Sequence, residues 1–259
     1  MRKYKRLALF ILVFFSMTLL AGCGGGGSKE PAKQADKPEF TIKFGHVVSA
    51  STPKGQAADR FAELIEERTD GRIVVEVFPD SQLGDDGQIT EQMRMGTIQM
   101  NAPFTGVLPA FVPQAEFFDL PFLFPSTESV YNALHGEVGE IFNGYLEEIG
   151  LRVLGYWDGG FKHFTNSKRP IVTPEDLKGL KFRVSQSPLL SAQFEALGAQ
   201  GISISFNELY TALSQGTVDG QENVLANIYS RKFYEAQPYM TLSGHGYLGY
   251  VLMVSEDFY

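Results

Sequence analysis

The chain has 259 residues, a formal charge of −8, 44% hydrophobic residues and 13% aromatics, enough apolar material for a sizeable core. The acidic balance argues against nucleic acid, and no basic stripe with interleaved aromatics offsets it. A single cysteine makes a disulfide within the chain impossible.

Arg2, Lys3, Lys5 and Arg6 form a basic start, Leu7 to Leu20 an apolar run short for a bilayer span, and Ala21 and Gly22 the small residues of a cleavage site. Residues 1–22 are thus expected to be a secretory signal. Leu20-Ala-Gly-Cys23 resembles a bacterial lipobox, which implies that Cys23 becomes a lipid-modified amino terminus. The alternative is an unmodified cysteine beside an ordinary cleavage site. Residues 23–39, rich in Gly, Lys, Ala and Pro, read as a flexible tether.

The folded part begins near Phe40. Phe40, Ile42, Phe44 and His46 alternate with Thr41, Lys43 and Gly45, predicting a strand that ends at His46. Pro53 begins a helix with Ala57, Phe61, Leu64 and Ile65 on one stripe, ended by Asp70 and Gly71. A second strand over 72–78, a helix over 86–95 stopped by Gly96, and a third strand over 97–103 follow. Glu116 to Pro125 is an aromatic, proline-rich connector expected to wedge into the core. Helices over 126–135 and 137–149 come next, the second burying Val138, Ile141, Phe142, Tyr145 and Leu146. A strand over 151–156 then leads into Trp157 to Asn166, a crossing whose paired glycines suit a hinge.

Thr173, Pro174, Glu175 and Asp176 open a short helix that Gly179 stops. In the strand over 180–184, Leu180, Phe182 and Val184 share one face while Lys181 and Arg183 take the other. A helix from Ser187 to Gly198, a strand over 201–205, a helix over 207–215 and a strand over 217–222 complete a second strand-helix-strand-helix-strand unit, delivering Asn223 to its exit. Both units end on Gly-Thr, at 96–97 and 216–217. A helix over 224–236, broken before Pro238, and a strand over 248–254 returning to the first unit finish the chain. In parallel α/β units ligands sit beyond the carboxyl ends of strands, where Arg183 and Asn223 fall. Arginine there offers two parallel N–H groups to a carboxylate, so an organic acid is the first ligand to consider.

Leu177-Lys-Gly-Leu-Lys-Phe-Arg-Val184, Phe206-Asn-Glu-Leu-Tyr-Thr-Ala-Leu213, Val218-Asp-Gly-Gln-Glu-Asn223, Ser81-Gln-Leu-Gly-Asp-Asp86 and Phe118-Asp-Leu-Pro-Phe-Leu-Phe124 resemble the signature segments of the solute-binding proteins of TRAP transporters (tripartite ATP-independent periplasmic carriers), of the dicarboxylate-binding type. The resemblance runs from Phe40 to Tyr259. It implies a periplasmic-binding-protein-like α/β fold in which two α/β domains, 40–159 with 246–259 and 160–245, face a ligand cleft and are joined by hinge strands. The repeated units by themselves suit such a pair or a single shared sheet. Family members continue through further helices that brace both domains, so the resemblance implies that part of the second domain lies beyond Tyr259.

The resemblance also implies a small carboxylate ligand and TRAP permease subunits as membrane partner, with no cofactor. Arg183 is then the ligand clamp, although the bare sequence equally allows a solvent-facing arginine beside Lys181. Asn223 is a ligand contact, a helix cap, or both. Lys162 stands where relatives often carry a second arginine, and an ammonium acts only as a point charge. Phe206 and Phe104 are candidate apolar walls or ordinary core residues. His46 is a candidate contact or a structural histidine. His135, His163 and His245 show no metal spacing. A receptor serving a membrane sensor and a lipid-anchored enzyme acting on a carboxylate remain as alternatives, the latter without a Gly-x-Ser-x-Gly, His-Glu-x-x-His or phosphate-cradling motif.

Overall fold

The computed structural model describes residues 37–259, so the signal, Cys23 and most of the tether lie outside the described residues. In chain order the elements are β1 (Phe40–Gly45), α1 (Pro53–Arg68), β2 (Ile73–Phe78), α2 (Asp86–Arg94), β3 (Met100–Asn101), α3 (Thr127–Leu134), α4 (Glu137–Glu147), β4 (Leu151–Asn166), β5 (Lys181–Val184), α5 (Pro188–Ala196), β6 (Gln200–Ser203), α6 (Leu209–Ser214), β7 (Gly220–Asn223), α7 (Leu225–Ser230) and β8 (Tyr239–Ser255). No helix among the described residues is long and apolar enough to cross a membrane.

All eight strands form one sheet in the order β2-β1-β3-β8-β4-β7-β5-β6. Each predicted unit is a parallel trio, β2-β1-β3 and β7-β5-β6. Between them β4 and β8 run antiparallel along nearly their full lengths, from Leu151↔Ser255 to Asn166↔Tyr239. The two α/β units therefore share a sheet as well as a cleft.

Local chemistry explains most of the elements. Thr52 caps α1 by accepting from the Gly55 N–H, with Pro53 in the first turn, and Ala58, Phe61, Ala62 and Ile65 pack towards Phe44 and Val75. A capping box of Asp85 with Gln88 starts α2. Phe182 and Val184 pack on Leu190 and Phe194 of α5, which leaves Arg183 on the opposite face of β5.

Several boundaries differ from expectation. Trp157 to Asn166 is the second half of one continuous strand. Its register slips at Val153/Gly155, Asp158/Gly160 and Lys162/Phe164, and the paired glycines serve the middle bulge: Gly160 sits at φ 102°, and a Cβ on Gly159 would lie 2.5 Å from the Leu248 carbonyl oxygen. β8 begins nine residues earlier than the predicted 248, because β4 offers it a partner all the way to Asn166. The segment opened by Thr173 is a 3-10 turn, Pro174–Leu177, and the helix expected over 224–236 breaks at Lys232, whose backbone is left-handed (φ 54°). In the connector Phe118 is buried, but Leu120, Phe122 and Leu123 are exposed. Likewise α4 buries Gly139, Phe142 and Leu146 and leaves Val138 and Ile141 in solvent, the apolar stripe being narrower than the composition implied.

β7 is the strand through which the second trio joins the central ribbon, and it packs very closely. A Cβ on Gly220 would sit 2.5 Å from the Thr165 carbonyl oxygen and 2.7 Å from the Phe182 ring. Gly220→Ala is expected to destabilise the protein by about 1–3 kcal/mol through this crowding, measured by denaturant titration of the full-length protein.

Candidate functional site

A cleft of about 650 Å³, counting its open mouth, lies beyond the carboxyl ends of the parallel strands. Arg183, Lys162, Asn223, Phe206 and Phe104 all line it, drawn together from five separate stretches of chain. His46 does not: it is fully buried behind Val47 and Val48, which do reach the surface of the cleft.

Arg183 is 6% exposed. Its Nε donates to the Ile204 carbonyl at 2.8 Å, which fixes the plane of the guanidinium, and no carboxylate among the described residues lies within ion-pair distance. Burial lowers its pKa to about 10, with Glu222 acting in the opposite sense. This cation is held in place and left without a counter-ion. Asn223 spends its side-chain oxygen on the Val224 N–H (3.1 Å) and Asn227 Nδ2 (2.8 Å), so its own amide N–H groups stay available at the cleft. It supports the entry to α7 without being its cap residue, which is Val224.

The aromatic residues are held by their neighbours. Phe206 meets Phe233 edge-on with centroids 6.1 Å apart, and the Arg231 guanidinium lies 5.2 Å from its ring. Arg231 also ties α7 to the segments after β1 and β2, donating to the Val47 carbonyl at 2.6 Å and pairing with Asp80 at 3.0 Å. Phe104 bridges to Tyr250 of β8, and the Lys162 ammonium sits 5.7 Å from its ring centre.

Lys162 is committed inside the protein. Its Nζ donates to Glu222 Oε1 at 2.6 Å and lies 3.7 Å from Asp119 Oδ1, with all three residues buried. Glu222 Oε2 lies 2.6 Å from His245 Nε2, and His245 Nδ1 lies 2.7 Å from the Ser243 hydroxyl. Burial alone would push the Glu222 carboxyl up, but the Lys162 ammonium and the His245 hydrogen bond outweigh it and bring the pKa down to about 2. Burial raises Asp119, with Lys162 pulling the other way.

The sequence did not point to Glu222, Asp119 or His245 as a group, because their shared partner is Lys162 and the four are brought together only by folding. Nor did it single out Lys54 and Tyr250. Lys54 is buried with its ammonium 4.2 Å from the Tyr250 ring centre, and a lysine in the first turn of a helix was the available signal.

Removing the buried anion leaves Lys162 without its closest counter-charge, so Glu222→Gln is expected to cost about 3–5 kcal/mol at pH 7. Because the folded pKa of Glu222 is depressed, its contribution is complete above its ordinary value of 4.5 and is lost as pH falls towards about 2. Urea titrations of wild type and variant between pH 7 and pH 3 read both effects.

The sequence model of the family described as DctP, bacterial extracellular solute-binding protein, family 7, matches residues 44–259. The chain is 42% identical over 221 residues to the C4-dicarboxylate-binding protein DctB of Bacillus subtilis, covering 85% of this chain and 63% of that protein. It is also 42% identical to the C4-dicarboxylate-binding periplasmic protein DctP of Rhodobacter capsulatus, covering 85% of this chain and 66% of the relative. The match thus spans just under two thirds of these relatives' length. Among solved structures, a TRAP periplasmic solute-binding protein from Sulfurospirillum deleyianum with bound succinate superposes with a TM-score of 0.83 at 47% identity, over 85% of this chain and 71% of that one. The sugar-acid-binding protein DctPAm from Advenella mimigardefordensis, in complex with galactonate, superposes with the same TM-score at 38% identity, over 86% and 71%. The sheet and its cleft are periplasmic-binding-protein-like, and the chain belongs to family 7 of the bacterial extracellular solute-binding proteins.

Proposed function

We propose that this protein captures a small organic acid in the cleft and hands it to a TRAP-type secondary transporter, acting as a binding protein rather than an enzyme. The observation that carries this reading is Arg183. A buried guanidinium, its plane set by one backbone carbonyl and its remaining donors free at an apolar-walled cleft, is built for a carboxylate. The names of the relatives support that ligand class, since they include binders of C4-dicarboxylates and of sugar acids. Asn223 supplies further donors, and Phe104 and Phe206 wall the carbon chain.

Residues 40–159 with 246–259 and residues 160–245 act as the two sides of the cleft in this reading. Arg231 fastens one to the other by way of Val47 and Asp80, and the ligand on Arg183 adds to the closed state what that contact begins. The protein works outside the cytoplasm, tethered through acylated Cys23, a reading carried by the lipobox-like Leu20 to Cys23. Cys23→Ala is expected to move the protein from the membrane fraction to the soluble one, followed by fractionation and immunoblot.

Calorimetric titration of the full-length mature protein against small carboxylates, neutral sugars and amino acids tests the ligand class. Arg183→Ala is expected to weaken acid binding by about 2–5 kcal/mol, because a desolvated carboxylate is left unpaired. Wild-type affinity in that variant, or binding of neutral sugars alone, rules out the carboxylate clamp. Arg231→Ala is expected to raise the ligand off-rate with a smaller change in on-rate, read by stopped-flow fluorescence.

A further inference from the structure

Ser185 and Ser205 both line the cleft. The Ser205 hydroxyl is spent on Glu208 Oε2 at 2.7 Å, and Ser187, just past Ser185, gives its hydroxyl oxygen to the Leu190 N–H as the cap of α5. Ser185 differs from both. It is 8% exposed, and its Oγ meets no hydrogen-bond partner among the described residues. Buried hydroxyls are almost always satisfied, so an unmet one in the wall of a cleft marks a place for a missing partner.

The strands around it say what that partner is. Ser185 follows the last residue of β5 and lies two positions beyond Arg183, so alternation carries both side chains to the same face. β5 runs parallel to β7 with Arg183 opposite Gln221, and the same register continued by two residues sets Ser185 beside Asn223. Backbone bonds hold the position from both sides. The Ile204 N–H donates to the Val184 carbonyl at 3.2 Å, and the Ser187 N–H to the Ser185 carbonyl at 2.7 Å. The free hydroxyl is therefore fixed at the carboxyl end of β5, between the clamp arginine and the asparagine.

Resting on the organic-acid reading, we propose that Ser185 is a further ligand-binding residue, whose hydroxyl donates to the same carboxylate that Arg183 clamps and Asn223 approaches. The donor count agrees. An ionised carboxylate offers about four lone-pair sites. With Arg183 Nε committed to Ile204, the two Nη groups supply one N–H each, Asn223 Nδ2 a third donor and Ser185 Oγ a fourth. A carboxylate taken out of water loses affinity for every site left unmet, so the Ser185 hydroxyl adds a contribution that does not depend on the rest of the ligand.

The test is calorimetric titration of the full-length mature protein with succinate, L-malate and galactonate. Ser185→Ala is expected to weaken each acid that binds wild type by roughly tenfold, the scale of one hydrogen bond to a charged group, and by a similar factor whatever the tail. Melting curves without ligand are expected to coincide for this variant and wild type, since the hydroxyl has no partner within the protein. Ser185→Thr keeps the hydroxyl and is expected to stay within about threefold of wild type. Wild-type affinity in Ser185→Ala means that water satisfies the hydroxyl, and it overturns this inference while leaving the Arg183 clamp standing. A loss shared by Ser185→Thr and accompanied by a lower melting temperature makes the residue structural and overturns it too. If none of the three acids binds wild type, the organic-acid reading falls and this inference with it.

Discussion

Glu222 holds the middle of the molecule together. It stands on β7, binds Lys162 on β4 through one oxygen and His245 on β8 through the other, and is almost fully buried in the wall of the cleft. An isolated carboxylate there would cost many kilocalories per mole, as would an isolated ammonium, so each is tolerable only because the other is present and well placed. This mutual dependence pins three strands to one register at the point where the second α/β trio joins the central ribbon. Gln221 repeats the arrangement with neutral groups one residue earlier, donating to Thr165 Oγ1, which in turn reaches Gln237. The cleft is built on this seam.

The seam also separates the cations of the site by task. Lys162 lines the cleft, yet its charge is balanced from behind, so it contributes local field and the flank of Phe104 more than an open donor. Arg183 is the reverse case. Its neighbour Glu222 is near enough to be felt but is engaged elsewhere, and a backbone carbonyl orients the guanidinium without neutralising it. A shared carboxylate thereby keeps one basic residue structural and leaves the next ready to meet an anion. Two relatives of this fold hold succinate and galactonate, acids of different length and polarity.

Much of this was legible in the sequence where the signal was local. Alternation in Leu180 to Val184 placed Arg183 opposite the apolar face, and glycine stops at 96 and 216 marked the repeated unit. The long strands were harder to read because their evidence is spread across the chain. Trp157 to Asn166 lacks clean alternation, since two bulges within it reset its phase, and its pairing with β8 and β7 makes it a strand. The role of Lys162 was equally hidden, as its anions are supplied by Asp119 and Glu222 in distant segments. Lys54 shows a subtler limit: a lysine near a helix start reads as surface, and only burial without a partner makes it conspicuous.

The continuous β4–β8 ribbon gives any closure of the cleft a mechanical character. A loop hinge swings almost freely, whereas a two-stranded ribbon must twist while keeping its ladder of hydrogen bonds, and it resists as a torsion spring does. The compliant points of that spring are its three bulges, where the ladder is already interrupted. In the proposed closure, ligand binding works against elastic strain that is returned when the ligand departs. Substitutions at Gly155 or Gly160 would alter stiffness, and with it affinity, at positions that do not line the cleft.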